Sequence, residues 1–357
     1  MAFPPTNAVS LFTAAGKRGL LEVSRPHGGA FTRDTLLQDG AQSLFQAWRT
    51  DSTPLYRHTF GPAVFDAGLT LFGWHNKPLH DTLYTQPAAV LEQFVARGHG
   101  TVEHYPLTAW AGFDHWSANY YHWVAHTLPA LRYFLDHGGD TDVFLLPPLT
   151  PWQEDSLALA GLEPQRRMIV HPGTRYGFER MVYTDFIRGK ADFTSSTIAR
   201  TAYRALCSAT NPAPLPAGRF IFIDRGTAPN RHVPNGAALA AAFMQLGFER
   251  VYPERLSLRE QITLFAQARM VAGFLGAGLA NIAWCQKDTL VYELVPSHHQ
   301  NPCFLAMCIQ GGLRYWGELV QTGVPGQDHT SPATVAADTS RIIRHARELM
   351  QHAMHTG

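Results

Sequence analysis

The chain has 357 residues, of which 45% are apolar and 16% charged, a globular and not a disordered composition that suits two domains. The formal net charge of +1 argues against a dedicated nucleic-acid binder, which carries a basic excess. Four cysteines, at 207, 285, 303 and 308, are spaced by 78, 18 and 5 positions and form neither a disulfide scaffold nor a CxxC zinc or redox pattern; buried reduced thiols in a reducing compartment fit them.

The N-terminus has no basic segment ahead of its short apolar run, and no stretch reaches about 18 consecutive apolar residues. A cytoplasmic protein with no membrane span is expected, with contact at a membrane face left open. Residues 1–60 carry little pattern. Alternation from Ala63 (AVFDAGLTLFG) predicts one or two strands and a turn. Residues 88–97 have helical spacing, and Ala118 to His137 predicts a helix interrupted by Pro129. A strand at 142–148, a helix from Trp152 to Leu162, strands at 166–171 and 178–186, and a helix at about 195–208 follow. NPAPLPAG (211–218) is the best linker candidate. Beyond it, strands at 219–224, 250–252, 269–274, 289–295 and 313–319 alternate with helices at 236–248, 257–268, about 278–285 and 302–310. That rhythm means βαβ units and a parallel sheet. An amphipathic stretch at about 331–354 predicts a C-terminal helix.

Three features of the second half point to a nucleotide. In LGAGLAN (275–281) a strand runs into a glycine turn that opens a helix. Gly276, Ala277, Gly278 and Asn281 would present backbone and helix start to a phosphate. Glu293, near the end of the next strand, could accept from ribose hydroxyls. Arg225 and Arg231 flank the loop after the first strand of this half, where arginines can clamp a diphosphate. Each has a plain alternative: a tight βα turn, a surface acid, solvated loop arginines. A degenerate dinucleotide fingerprint lacks its third glycine here, whereas a nucleotide-sugar site explains all three elements.

The stretches NYYHWVAHTLPAL (119–131), FIFIDRGTAPNRHVPN (220–235), GFERVYPERLSLREQITLFAQARMVAGFLGAGLAN (247–281) and VYELVP (291–296) resemble glycosyltransferase family 61 over roughly residues 115–320. The resemblance implies an α/β fold of GT-B type, two Rossmann-like domains facing a cleft. It implies an acceptor-side domain at 1–212, a nucleotide-sugar-binding domain at 213–330 and a C-terminal helix at 331–357 packing back on the first domain. It also implies inverting transfer from a nucleotide sugar, commonly a UDP-sugar, to a hydroxyl acceptor in glycan or polysaccharide synthesis, with no metal and no further cofactor. Three positions depart from the family pattern: Leu275 for a histidine, His126 for an acid and Gly236 for an acid.

Inverting transfer needs a base. His122 is the first candidate, because imidazole titrates in the right range and Asn119, His122 and His126 share a helix face. Asp114 and His115 are alternatives, and Asp224 is a weaker one. His122 could equally be structural. Zinc is disfavoured at His122 and His126, since Trp123 takes the place of the HExxH glutamate and no third ligand is placed. Asp140-Thr141-Asp142 resembles a DxD motif but reads as a turn. His298, His299, His345, His352 and His355 read as surface residues. A nucleotide-sugar binder without turnover, a nicotinamide-dependent oxidoreductase and a structural assembly protein are the competing readings.

Overall fold

A computed structural model of the chain describes residues 8–15, 17–23, 54–139, 142–187, 196–210, 218–225, 233–323, 327 and 331–354. Two compact units separate, the first holding the described residues up to Ala202 and the second those from Tyr203. Most of the expected linker and Arg231, Asp140, Thr141 and His355 lie outside the described residues. Among the described residues, no helix is long and apolar enough to cross a membrane.

In the first unit, β1 (Lys17–Val23), β2 (Pro54–Phe60), β3 (Ala63–Asp66), β4 (Leu71–Trp74), β5 (Lys77–Pro78), β6 (Val102–Trp110), β7 (Val143–Leu146), β8 (Arg167–Ile169) and β9 (Arg175–Thr184) form one sheet. Helices α1 (Leu11–Ala14), α2 (Ala89–Ala96), α3 (Leu128–His137) and α4 (Pro151–Ala160) belong to it. β9 pairs antiparallel with β2 and β3 and parallel with β6, which leads on to parallel β7 and β8. The sheet is therefore mixed, which corrects the expectation of a Rossmann-like first domain. The turns joining β3, β4 and β5 are too short for a crossover, so these strands must pair antiparallel. The helices between β6, β7 and β8 supply the crossovers that parallel pairing requires.

The predicted helix at 118–137 forms, with its irregularity one turn earlier than Pro129. Asn119 starts it, its Oδ1 accepting the Tyr121 N–H at 2.9 Å. Tyr120–His122 is α-helical, Trp123–Thr127 widens to a π turn, and α3 resumes with Pro129 in its first turn. Proline donates no N–H and its ring crowds the carbonyl four residues back, that of Ala125, so a wider turn relieves the clash. Two bonds to α4 fix the segment: the Trp123 indole N–H donates to Ser156 Oγ at 2.8 Å, and Gln153 Nε2 donates to the Ser117 carbonyl at 2.9 Å.

The second unit begins within α5 (Thr197–Thr210) and contains β10 (Arg219–Ile223), α6 (Gly236–Gln245), β11 (Glu249–Val251), α7 (Leu258–Ala266), β12 (Ala268–Phe274), β13 (Leu290–Pro296), α8 (Cys303–Gly311), β14 (Arg314–Val320) and α9 (Thr339–Met354). The strands run in the order β11-β10-β12-β13-β14, all parallel, as the rhythm predicts. The chain moves outward to β11, then returns past β10 to β12. The carboxyl ends of β10 and β12 thus flank the point where the winding reverses, the usual ligand crevice of such sheets.

Leu239 and Phe243 of α6 and Ile342, Ala346, Leu349 and Ala353 of α9 pack together on Phe222, Met270, Ala272 and Tyr292 of the sheet. The C-terminal helix therefore covers the sheet of its own unit. Its apolar stripe has the 3.6-residue period that a sheet face accepts. Arg269 donates to the Ala353 carbonyl at 2.6 Å and Arg314 to that of His352 at 3.2 Å, satisfying carbonyls at the helix end. His345, read from sequence as a surface residue, is fully buried and donates from Nδ1 to Glu318 Oε2 at 2.8 Å. The same oxygen accepts the Tyr292 hydroxyl, and Arg341 lies 2.9 Å from Oε1. Glu318→Ala removes the acceptor that two buried donors share and is expected to cost about 3–5 kcal/mol. Urea denaturation measures this, and a loss below about 1 kcal/mol would show the cluster to be dispensable.

Candidate functional site

Asp114 follows β6 at the carboxyl end of a parallel strand and is 1% exposed. Its Oδ2 accepts from Nδ1 of His122 at 3.2 Å and from Nδ1 of His126 at 2.6 Å, and its Oδ1 accepts the Trp116 backbone N–H at 2.7 Å. The wide π turn brings the two imidazoles together, their ring centroids 4.9 Å apart. Burial pushes the Asp114 carboxyl up, but the hydrogen bonds and charges of His122 and His126 outweigh it and hold the group well below the usual carboxylate range. An ionised carboxylate only accepts, so both Nδ1 atoms carry protons and a neutral ring keeps its lone pair on Nε2. His126 is fully buried, whereas the His122 side chain is 15% exposed and its Nε2 has no hydrogen-bond partner among the described residues.

The three side chains also bring one ligand atom each within 4.8 Å of one another. Two ligands on a tetrahedral zinc, each about 2.1 Å from it, stand roughly 3.3 Å apart. The 2.6 Å between His126 Nδ1 and Asp114 Oδ2 is the distance of a charge-assisted hydrogen bond.

A rim of residues that the sequence did not single out surrounds the pair. Tyr84 has φ +53°, uncommon for a residue with a bulky side chain, and its ring meets those of His115, His122 and His126 edge-on at 5.8 Å each. Thr85 Oγ1 accepts the Trp116 indole N–H at 3.1 Å and lies 3.4 Å from His115 Nε2. The structure thus brings His122, Asp114 and His115 together. It also gives His126 a role, as the second donor to Asp114. Asn119 spends its side chain on the helix start.

In the second unit, Arg225 and Gly276 meet at the winding reversal. Arg225 Nη1 donates to the Leu275 carbonyl at 3.0 Å, and a Cβ on Gly276 would stand 1.9 Å from that nitrogen. Only glycine admits the guanidinium there. The Gly276 carbonyl accepts the Leu279 N–H and opens the helix predicted at about 278–285, which is of 3-10 type and spans Ala277–Trp284. Ala277 and Gly278 are half-buried. Asn281 is fully buried and braces the segment from inside: Nδ2 donates to the Gly278 carbonyl and Oδ1 accepts the Trp284 indole N–H, each at 3.0 Å. Beside Arg225 a cavity of about 90 Å³ is lined by Ile223, Asp224, Arg250, Phe274 and the α6 start at Gly236 and Ala237. Asp224 is engaged there by Arg250 at 2.6 Å and the Tyr252 hydroxyl at 3.4 Å, which disfavours it as a base.

Glu293 departs from its expected place. It lies in the middle of β13, not at its end, and is fully buried. Its Oε2 accepts the Tyr315 hydroxyl at 2.7 Å, while Oε1 has no hydrogen-bond partner among the described residues. Burial pushes its carboxyl up to about 8, with the Tyr315 bond acting in the opposite direction. A carboxyl closed to solvent and bonded to the neighbouring strand is placed to brace the sheet. Its folded pKa lies above the unfolded one, so its stabilisation is complete below about pH 4 and is lost as the pH rises toward 8. Glu293→Gln is expected to remove that fall, making the variant more stable than wild type at pH 8 relative to pH 5, with donor affinity unchanged. Denaturation midpoints at the two pH values test this, and weakened donor binding would restore a ligand role.

Asp142 accepts the Trp110 indole N–H at 3.0 Å and the Gly139 N–H at 3.2 Å, as its turn reading expects.

No curated protein matches the chain. The crystal structure of the iron-containing dodecameric glycosyltransferase TibC from enterotoxigenic E. coli H10407 aligns over 99% of this chain and 98% of that one, at 12% identity and a TM-score of 0.35. Residues 120–292 match the glycosyltransferase 61 family, the family that the sequence motifs resemble. The match takes in the His122 and His126 helix, Arg225, the Gly276 turn and β13 as far as Tyr292. Residues 120–292 are therefore the part of the chain that is similar to glycosyltransferase family 61.

Proposed function

We propose that the chain transfers a sugar from a nucleotide-sugar donor, a UDP-sugar, to a hydroxyl of a glycan acceptor, with inversion and without a metal. The observation that carries this reading is His122, whose Nδ1 is held by Asp114 while Nε2 is open. Nε2 takes the acceptor proton as the oxygen attacks the anomeric carbon and the bond from that carbon to the phosphate oxygen breaks. Asp114 keeps the proton on Nδ1 and stabilises the imidazolium that forms, and His126 keeps Asp114 ionised. The nucleoside diphosphate leaves with its charge met by Arg225 and by the backbone at Gly276–Gly278. Arg231 joins Arg225 in this proposal from its place in the sequence. Four free thiols suit a cytoplasmic setting.

A thermal-shift screen of UDP, GDP, CMP, UDP-sugars and NAD(H), each with and without EDTA, tests the reading. Ligands that bind the folded state raise its melting temperature by mass action. A shift with UDP that EDTA does not change is expected. A shift with NAD(H) alone would replace the transferase with an oxidoreductase, and an EDTA-sensitive UDP shift would bring a metal into the site.

A further inference from the structure

Trp116 is the most exposed large aromatic side chain among the described residues beside His122, with 51% of its surface open. A tryptophan left this open is costly in apolar exposure unless something covers it. It is also held in place. Its backbone N–H is tied to Asp114 at 2.7 Å and its indole N–H to Thr85 at 3.1 Å, so the one polar group of the ring is satisfied from the protein side. Its ring lies 5.2 Å from that of His115 and 6.2 Å from that of His122, tilted 36° to the latter. Thr85, which holds the indole, directly follows Tyr84 in its left-handed conformation. The chain thus fixes a bare π-face next to the open Nε2 of the proposed base.

An indole face with its N–H already paired offers no hydrogen bond. It offers dispersion and a negative quadrupole. The partner that fits both is a flat patch of polarised C–H groups carrying hydroxyls at its edge, which is the face of a pyranose ring. A serine or threonine side chain has too little apolar area to cover the ring, and a lipid chain has no hydroxyl edge to reach His122.

We infer that Trp116 is the stacking platform of the acceptor subsite and that the acceptor is a carbohydrate ring, laid on the indole with a hydroxyl toward His122 Nε2. This rests on His122 as the base of the proposed transfer.

Saturation-transfer NMR on the full chain with methyl glucopyranoside, methyl galactopyranoside, methyl mannopyranoside and an N-acetylserine amide tests it, alongside Trp116→Ala and Trp116→Phe. At least one glycoside is expected to receive saturation at its ring C–H protons. That signal should vanish in Trp116→Ala, return in Trp116→Phe and be absent for the serine probe. With the donor from the nucleotide screen, Trp116→Ala should raise the acceptor KM about tenfold and leave the donor KM unchanged. An exposed side chain leaves no cavity when truncated, so the melting temperature should hold. Saturation of the serine probe alone, equal glycoside signals in wild type and Trp116→Ala, or a rise in donor KM instead of acceptor KM each overturns the inference. The last result would assign the ring to the donor sugar. The transferase reading survives any of these if UDP still binds, and falls separately if no nucleotide does.

Discussion

Asp114→Asn is expected to lower kcat about 10³-fold or more while leaving donor affinity near wild type. The asparagine keeps the shape but offers one acceptor oxygen and one NH₂ donor. Asp114 accepts on both oxygens, from the Trp116 backbone N–H on Oδ1 and from Nδ1–H of His122 and His126 on Oδ2. The backbone N–H cannot turn away, so the amide oxygen goes to Trp116, the NH₂ faces both imidazoles, and these must flip, retautomerise or lose their bonds. If His122 changes tautomer, its proton moves to Nε2 and the atom facing the acceptor can no longer accept. His122→Ala should cost a similar factor, about 10²–10⁴, and the double variant should be little worse than either single, because the two residues act as one unit. Stability separates them. The Asp114 carboxyl has a folded pKa well below its unfolded value of about 3.9, so its stabilisation is complete above that value and lost as the pH falls toward the folded one. Wild type should therefore weaken steeply between about pH 5 and pH 2, and Asp114→Asn should show a flatter profile from a lower plateau. His122→Ala, losing a partly exposed ring, should stay close to wild type at pH 7. Full activity in Asp114→Asn would remove the pair from the mechanism.

The second unit is legible in the sequence because its strands are covered on both faces. RFIFI, ARMVAGF and LVYELVP read as continuous apolar runs, and glycine and proline punctuate them. The same property hides Glu293. Alternation marks a solvent face only where one exists, so nothing local tells a buried mid-strand acid from an exposed strand-end one. β6 escapes notice because TVEHYPLTAW carries Pro106 where its register on β9 shifts, and its polar residues mask the strand period. β2 hides for a related reason: His58 is fully buried and meets Asp185 at 3.0 Å, 127 positions away.

At the first cluster, His122, Asp114 and His115 could be named because they lie within a few positions of one another. Tyr84 and Thr85 could not, since some 30 positions separate them from the residues they contact. His126 shows the limit of reading by family pattern. It is a departure from that pattern, yet the π turn makes it the closest partner of Asp114. His345 is a different case. It falls within the stripe formed by Ile342, Ala346, Leu349 and Ala353, so its burial follows from helical period alone, whereas its partner Glu318 does not.

Gly276→Ala is expected to weaken donor binding about tenfold to a hundredfold, as much as Arg225→Ala, with less than about 1 kcal/mol lost in stability. The backbone at Gly276 is extended, with φ 171°, so alanine meets no conformational penalty there. What it meets is Arg225 Nη1, 1.9 Å from the new Cβ. That atom is the far end of a flexible side chain, so the guanidinium swings away from the Leu275 carbonyl and the backbone stays where it is. Gly278→Ala is the internal control. Its Cβ would meet Ile223 Cγ2 at 3.3 Å and Pro253 Cγ at 3.5 Å, a close contact that a small shift absorbs, with Arg225 untouched. The Gly276→Ala/Arg225→Ala double variant should bind the donor no worse than Arg225→Ala alone, since the alanine acts only through a side chain that is already gone. Calorimetric titration with UDP reads all four proteins. Weak binding in Arg225→Ala together with normal binding in Gly276→Ala would mean that Arg225 meets the donor after leaving its place over the glycine. Normal binding in both would move the donor away from the β10 and β12 ends altogether.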